Sequence, residues 1–172
     1  SEATATQLDR FLDVGLQPLR HGDRELQTSY RTLQRQLGRT PAVKYAYSLA
    51  LLKRNEYDAA MEVLDQIRAA DEPVYVPAWR AAIWHRLKHR EYERGLALLT
   101  EFTQMTLAAD SRWGVPDQPS QNALWIGRLL ASLDFQVDSG RDWERIQQTW
   151  LTTEQAFSGT MRDEFQEGIR QA

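Results

Sequence analysis

The sequence contains no cysteine, which excludes disulfide bonds, thiolate nucleophiles and cysteine metal ligands. No apolar run approaches the roughly 20 residues of a membrane-spanning helix, and no signal peptide is visible. The net charge is only −3, which argues against nucleic-acid binding by the chain as a whole. We expect a cytoplasmic location. An exported or periplasmic location is the alternative if a leader has been removed.

What the chain does contain is a stretch that occurs twice. Residues 52–66 (LKRNEYDAAMEVLDQ) and 87–101 (LKHREYERGLALLTE) align without a gap, 35 residues apart. The identical pairs are Leu52/Leu87, Lys53/Lys88, Glu56/Glu91, Tyr57/Tyr92 and Leu64/Leu99. A fixed period of this length is typical of helical repeat arrays, in which each unit buries its apolar face against its neighbours.

Apolar residues recur at spacings of three and four along most of the chain, which predicts an all-α fold of nine helices in a single domain, residues 1–172. Thr40 and Pro41 predict a helix start, since proline loses no hydrogen bond at the first helical position. Asn55 is predicted to cap the helix that follows it. The predicted helices include 6–20, 23–37, 41–54, 56–70, 77–90, 91–108 and a last helix over about 162–170.

Residues 109–121 interrupt this pattern. They hold two prolines and show no periodicity, which predicts a surface loop within the one domain. Trp113 is expected either to cover the core or to lie exposed as part of a contact site. Helical periodicity resumes near residue 122.

Residues 41–73 and 76–108 resemble the tetratricopeptide repeat, a helix-turn-helix unit. In each, a polar turn is followed by an aromatic (Tyr57, Tyr92), a small residue (Ala60, Gly95) and a leucine at fixed spacing. The flanking units 10–41 and 127–158 resemble the family more loosely, and Ile146 stands where a small residue is expected. The resemblance implies antiparallel hairpins stacked as a right-handed α-α superhelix with a C-terminal capping helix.

The resemblance also implies a concave face, lined by the first helix of each unit, that binds a peptide or partner protein. The residues expected to line it are Tyr45, Leu49, Arg80, Trp84 and Phe135. Tyr45, Leu49, Pro77 and Ala81 occupy the places where some members carry the polar clamp for a C-terminal carboxylate, so that clamp is not expected. Aromatics with one arginine favour an apolar or mixed peptide. The alternative is that these aromatics simply pack between helices.

The residues give little evidence for metal binding, catalysis or nucleic-acid binding. His85 and His89 share a helix face, but two imidazoles alone do not make a zinc site, so no metal is expected. No nucleophile elbow, phosphate loop or paired-carboxylate motif appears, so no catalytic residue and no cofactor are expected. The helix around His85 is basic, which raises RNA binding as an alternative, but we expect no nucleic-acid partner.

The sequence therefore predicts a non-catalytic protein–protein interaction or scaffolding module. The alternative is a helical domain that binds a small molecule or substrate, with enzymatic activity included in that alternative. A homo-oligomer is a further expectation, because the acidic end of the chain from Asp134 onward could meet the basic helix of another copy head to tail.

Overall fold

The computed structural model describes residues 23–69, 74–108, 113, 117–134, 136–137 and 140–172. Within these residues the structure is all-helical and contains no strand, so the predicted fold class is confirmed. The helix predicted over 6–20 lies outside the described residues. The helices are α1 (Asp23–Leu37), α2 (Pro41–Lys53), α3 (Tyr57–Arg68), α4 (Val76–Lys88), α5 (Tyr92–Leu107), α6 (Gln118–Asp134), α7 (Gly140–Ala156) and α8 (Gly159–Arg170).

Two compact units divide the chain, and the boundary falls inside α4. The first unit comprises residues 1–71 and 75–82, and the second comprises 72–74 and 83–172. The single domain predicted over 1–172 stays a prediction.

In the first unit, α1, α2 and α3 pack around small and aliphatic side chains. Thr40 caps α2 by accepting a hydrogen bond from the Val43 N–H at 3.4 Å, and Pro41 follows at the first helical position, as predicted. The rings of Tyr30 and Tyr47 stack in parallel, 4.0 Å apart, and join α1 to α2. The buried core of these helices comprises Leu26, Leu33, Val43, Ala46, Ala50, Leu51 and Ala60.

The turn that joins the two helices of a hairpin has the same backbone conformation in both repeats. Asn55 has φ +61° and Arg90, 35 residues later, has φ +63°. The N–H groups of Glu56 and Glu91 donate to the fifth residue before each, Leu51 and Arg86, at 3.0 and 2.9 Å. The sequence repeat is therefore also a repeat of backbone conformation.

Asn55 does not cap α3, contrary to the prediction. Glu56 is the N-cap residue and makes no side-chain capping bond. Asn55 instead supplies the left-handed turn, a conformation that asparagine tolerates better than most residues.

In the second unit, Phe102 of α5 is fully buried and is contacted edge-on by two tryptophans. Its ring lies 6.0 Å from Trp113 and 5.9 Å from Trp125, centroid to centroid. Trp113 is buried and covers the core, which decides between the two roles expected for it. Further core residues of this unit are Leu99, Ile126, Leu130, Ile146, Phe157 and Phe165.

The end of the predicted loop 109–121 is helical. α6 begins at Gln118, because Pro119 lies in its first turn, where a missing N–H breaks no intrahelical bond. α8 likewise begins at Gly159, earlier than predicted, and packs on α6 through Phe165 and Gly168.

Candidate interaction surfaces

The first helices of the two clear repeats share one strip of positions that are accessible to solvent. A strip of α2 and the corresponding strip of α4 are related by the 35-residue period, residue by residue. We call these the outer strips, and they comprise Tyr45, Leu49 and Lys53 on α2, and Arg80, Trp84 and Lys88 on α4. Residues on the opposite sides of both helices, such as Val43 and Ala78, are buried.

On α2, Tyr45 and Leu49 are half-buried. The Tyr45 ring meets Tyr75 edge-on, with centroids 5.7 Å apart. Burial raises the pKa of Tyr45, and burial together with Tyr45 raises the pKa of Tyr75. Both hydroxyls therefore stay protonated at neutral pH and present hydrogen-bonding groups next to an apolar surface.

On α4, Arg80 is half-buried, and burial lowers the pKa of its guanidinium. Trp84 is 39% exposed, which is high for so large an apolar side chain. Lys88 is exposed one turn further on. Residues four apart share one helix face, so the indole is flanked on both sides by a cation.

The structure keeps four of the five predicted site residues at least partly accessible, namely Tyr45, Leu49, Arg80 and Trp84. The fifth, Phe135, lies outside the described residues. Tyr45, Leu49 and Arg80 belong to the first unit and Trp84 to the second, although Arg80 and Trp84 share one continuous helix. Their convergence on one channel stays a prediction.

A second apolar surface, on α7, was not predicted from the sequence. Trp143 is 37% exposed and Leu151 is 51% exposed. Exposed Glu144 and Leu151 lie two turns apart on one side of the helix, and Trp143 lies at the edge of that side. The spacing of Trp143 and Leu151 was visible in the sequence, but spacing alone does not tell an outward face from an inward one.

Between α5 and α7 runs an open groove of about 280 Å³. Its lining residues are Glu93, Leu96, Ala97, Thr100, Arg145, Gln148 and Thr149. The Arg145 guanidinium lies 3.2 Å from the Glu93 carboxylate and 3.6 Å from that of Asp142. The charged groups here pair with each other and do not converge on the groove.

The two histidines of α4 are placed differently. His85 is half-buried and His89 is exposed. Burial lowers the pKa of His85, and the charges of Lys88 and His89 lower it further. Within the described residues no group of three His, Asp or Glu side chains is arranged to hold a metal ion. Among those same residues, no helix has the length and apolar character needed to cross a membrane.

Comparisons of the chain with protein-family models, with curated proteins and with solved structures found no match.

Proposed function

We propose that this chain is a non-catalytic interaction module that binds a peptide or a partner protein, and that each outer strip, on α2 and on α4, is a contact surface for such a partner. The observation that carries the proposal is the equivalence of the two strips. Three matched pairs are buried in both repeats (Val43/Ala78, Ala46/Ala81 and Ser48/Ile83), the three pairs of the outer strips are accessible in both, and one of the accessible positions holds an exposed tryptophan. Tryptophan and arginine are the residues that contribute most to binding energy at protein interfaces.

The strip on α4 favours a ligand segment that combines an apolar side chain with an acidic group. The apolar side chain would pack on the Trp84 indole. The acidic group would contact Arg80 or Lys88, which lie one turn before and one turn after it. α4 contains no acidic residue, so the helix carries a net positive charge.

The resemblance to tetratricopeptide repeats and a right-handed superhelix of hairpins are part of this proposal. The matched turns at Asn55 and Arg90 support it. Gly95 supports it as well. An added Cβ there would lie 2.6 Å from the Leu87 side chain, so this position of the repeat needs a small residue to let the two helices pack closely.

The alternative, a domain that binds a small molecule, would use the groove between α5 and α7. A ligand pocket normally aims a few polar groups at its interior. Here Arg145 is held by Glu93 and Asp142 at the groove, so we favour the outer strips.

A displayed library of random peptides, panned against the whole chain, tests the proposal. We expect enriched peptides to combine an aromatic or aliphatic residue with Asp or Glu. A synthetic peptide from the enriched set, titrated by fluorescence anisotropy, should bind Trp84→Ala about 30-fold more weakly than the wild type, since a hot spot contributes about 2 kcal/mol or more.

Trp143→Ala is the matched control, because its indole is exposed to nearly the same extent but lies on α7. It should leave peptide affinity undiminished. Both tryptophan variants should melt near the wild-type temperature, since exposed side chains contribute little packing. The proposal fails if no peptide is enriched, or if Trp84→Ala binds the selected peptide as tightly as the wild type.

A further inference from the structure

One pair of positions in the outer strips holds the same residue in both repeats and is exposed in both. Six pairs of identical residues relate 41–69 to 76–104, and five of them are buried or half-buried in both repeats. Those five pairs are Ala46/Ala81, Leu52/Leu87, Glu56/Glu91, Tyr57/Tyr92 and Leu64/Leu99. The sixth pair is Lys53/Lys88, and both of these side chains are exposed.

The other positions that are exposed in both repeats have diverged, as at Asp58/Glu93 and Glu62/Ala97. Packing restricts which residue a buried position accepts, whereas most substitutions at exposed positions change stability little. Burial therefore accounts for the five other identities and does not account for the lysine. Lysine is also rare in this chain, which has three lysines and eighteen arginines, so the match is not a result of composition.

The helix dipole does not account for the lysine either. Both lysines end their helices, where a positive charge is favourable. Any cation meets that requirement, and the next position holds Arg54 in one repeat and His89 in the other. In α4, Arg86 is a further cation of the last turn. The identity of Lys53 and Lys88 therefore indicates that the two side chains contact the same kind of ligand.

Each lysine follows an accessible apolar residue by one helical turn. Leu49 precedes Lys53 by four residues, and Trp84 precedes Lys88 by four, so each pair shares one helix face. Neither α2 nor α4 contains an acidic residue. Among the described residues, no carboxylate forms an ion pair with either lysine. Both ammonium groups are therefore available to an acidic group of another molecule.

We propose that Leu49 with Lys53, and Trp84 with Lys88, form two copies of one binding site. Each site takes an apolar side chain together with an Asp or Glu carboxylate, to which the lysine ammonium donates hydrogen bonds. The partner is then an acidic protein segment that carries this motif twice. The inference rests on the proposed function and deepens it, since it names the number of sites and the chemistry of the partner.

The two sites differ in strength. Trp84 is exposed and Leu49 is half-buried, and tryptophan contributes more binding energy at protein interfaces than leucine does. A single motif therefore occupies the site on α4 first. The weaker binding that Trp84→Ala retains is binding at the site on α2.

Reversing the charge of each lysine separates the two sites. The probe is the enriched synthetic peptide, acetylated and amidated at its ends so that only side-chain carboxylates remain. Isothermal titration calorimetry should give two peptides per wild-type chain at saturation. Lys88→Glu should weaken the tighter step about tenfold, and Lys53→Glu should remove the weaker step and the residual binding of Trp84→Ala.

Lys44→Glu is the matched control, because it makes the same change of charge on α2. Lys44 lies five residues from Leu49 and therefore on another side of the helix. This variant should bind the peptide like the wild type. Circular dichroism confirms that each variant is folded before it is titrated.

A peptide that carries the enriched motif twice tests the nature of the partner. Its two motifs are joined by Gly/Ser linkers of about 20, 40 or 60 residues, since linker length sets the effective concentration of the second motif. With the best linker it should bind about tenfold more tightly than the single motif, because that effective concentration is in the millimolar range. Lys53→Glu should lose this gain and keep the affinity for the single motif.

Saturation at one peptide per chain, or a tandem peptide that binds no more tightly than the single one, would overturn the inference. Loss of binding on amidation would assign the lysines to a C-terminal carboxylate, and competition by a uridine oligonucleotide would assign them to RNA; either result also overturns it. The proposed function fails differently. If Trp84→Ala weakens binding and Lys53→Glu has no effect, that function is retained and the second site is lost, whereas a library that yields no peptide removes both.

Discussion

Gly127 of α6 and Gly168 of α8 bring the two helix backbones into direct contact. A Cβ atom on Gly127 would overlap the carbonyl oxygen of Phe165, and a Cβ atom on Gly168 would overlap the carbonyl oxygen of Leu124. Each glycine thus makes room for the backbone of the opposite helix. The approach leaves no room for a side chain at either position, and it places α8 on α6 beside fully buried Phe165.

Replacing either glycine by alanine should therefore destabilise the protein strongly. We expect Gly127→Ala and Gly168→Ala each to lower the free energy of unfolding by about 3 kcal/mol, at the upper end of the usual cost of overpacking, because backbone atoms cannot move aside as a side chain can. Urea denaturation followed by circular dichroism measures the change. The double variant should cost less than the sum of the two, since the first substitution already separates the helices.

Gly95→Ala provides the matched comparison. There an added Cβ would meet the Leu87 side chain, with Cδ2 at 2.6 Å and Cγ at 2.7 Å. A side chain can change rotamer, so Gly95→Ala should cost less than either of the other two variants. Equal costs at Gly95, Gly127 and Gly168 would show that backbone contact between α6 and α8 is not the reason for the glycines.

The sequence was sufficient to predict the all-helical fold of the described residues, although α6 and α8 begin earlier than predicted. It also predicted the small residue at Gly95, because the 35-residue register makes this position equivalent to Ala60. It did not predict the roles of Gly127 and Gly168, because neither has an equivalent in the two clear repeats. Their function depends on α8, which lies far along the chain, and periodicity within one helix contains no information about a distant neighbour.

Helical spacing also did not predict which side chains of the candidate surfaces are exposed. Trp79 and Trp84 lie on one helix, but Trp79 is buried beneath the Arg68 guanidinium, 4.8 Å from its ring centroid, whereas Trp84 is exposed. Helical spacing correctly grouped Arg80 with Trp84. It did not predict that Trp143 and Leu151 are exposed, because the side of α7 that faces outward is decided by the packing of Ile146 and Thr153 inward.

Large side chains at the small position of each repeat should overpack the hairpin. Ala60 is fully buried, and Gly95 contacts Leu87. We expect Ala60→Leu and Gly95→Leu each to destabilise by about 1–3 kcal/mol. Thermal unfolding measures the effect, and Ala97→Leu, at an exposed position of α5, is the control. If both core variants melt like the wild type, the repeat assignment loses its physical basis.

Arg90 offers a stabilising substitution. Its φ of +63° lies in the left-handed region, where a Cβ atom is unfavourable and glycine is not strained. We expect Arg90→Gly to raise the free energy of unfolding by about 0.5–1 kcal/mol, the strain relief being partly offset by the greater freedom of glycine in the unfolded chain.

Asn55→Gly, at the equivalent turn, should gain less, because asparagine already tolerates this conformation. Urea denaturation of the two variants in parallel gives the comparison. A larger gain at Asn55 than at Arg90 would contradict this account of the turn.

His85 should make stability depend on pH in the mildly acidic range. Burial, and then Lys88 and His89, lower its pKa in the folded protein, so the unfolded chain binds a proton more readily than the folded one. Above the ordinary histidine pKa of about 6.5, the imidazole is neutral in both states and contributes no pH dependence. As the pH falls from that value through the folded pKa, the unfolded state takes up more protons and stability is lost.

His85→Gln removes this titration. Urea denaturation at a series of pH values should therefore show a shallower loss of stability for the variant than for the wild type below about pH 6.5. Lys88→Gln should have a smaller effect in the same direction, since it removes one cation that disfavours the imidazolium while leaving the imidazole buried. Carboxylates that titrate in this range contribute equally to all three proteins, so the difference between the curves isolates His85. Parallel curves for the wild type and His85→Gln would show that the folded environment of His85 does not favour its neutral form.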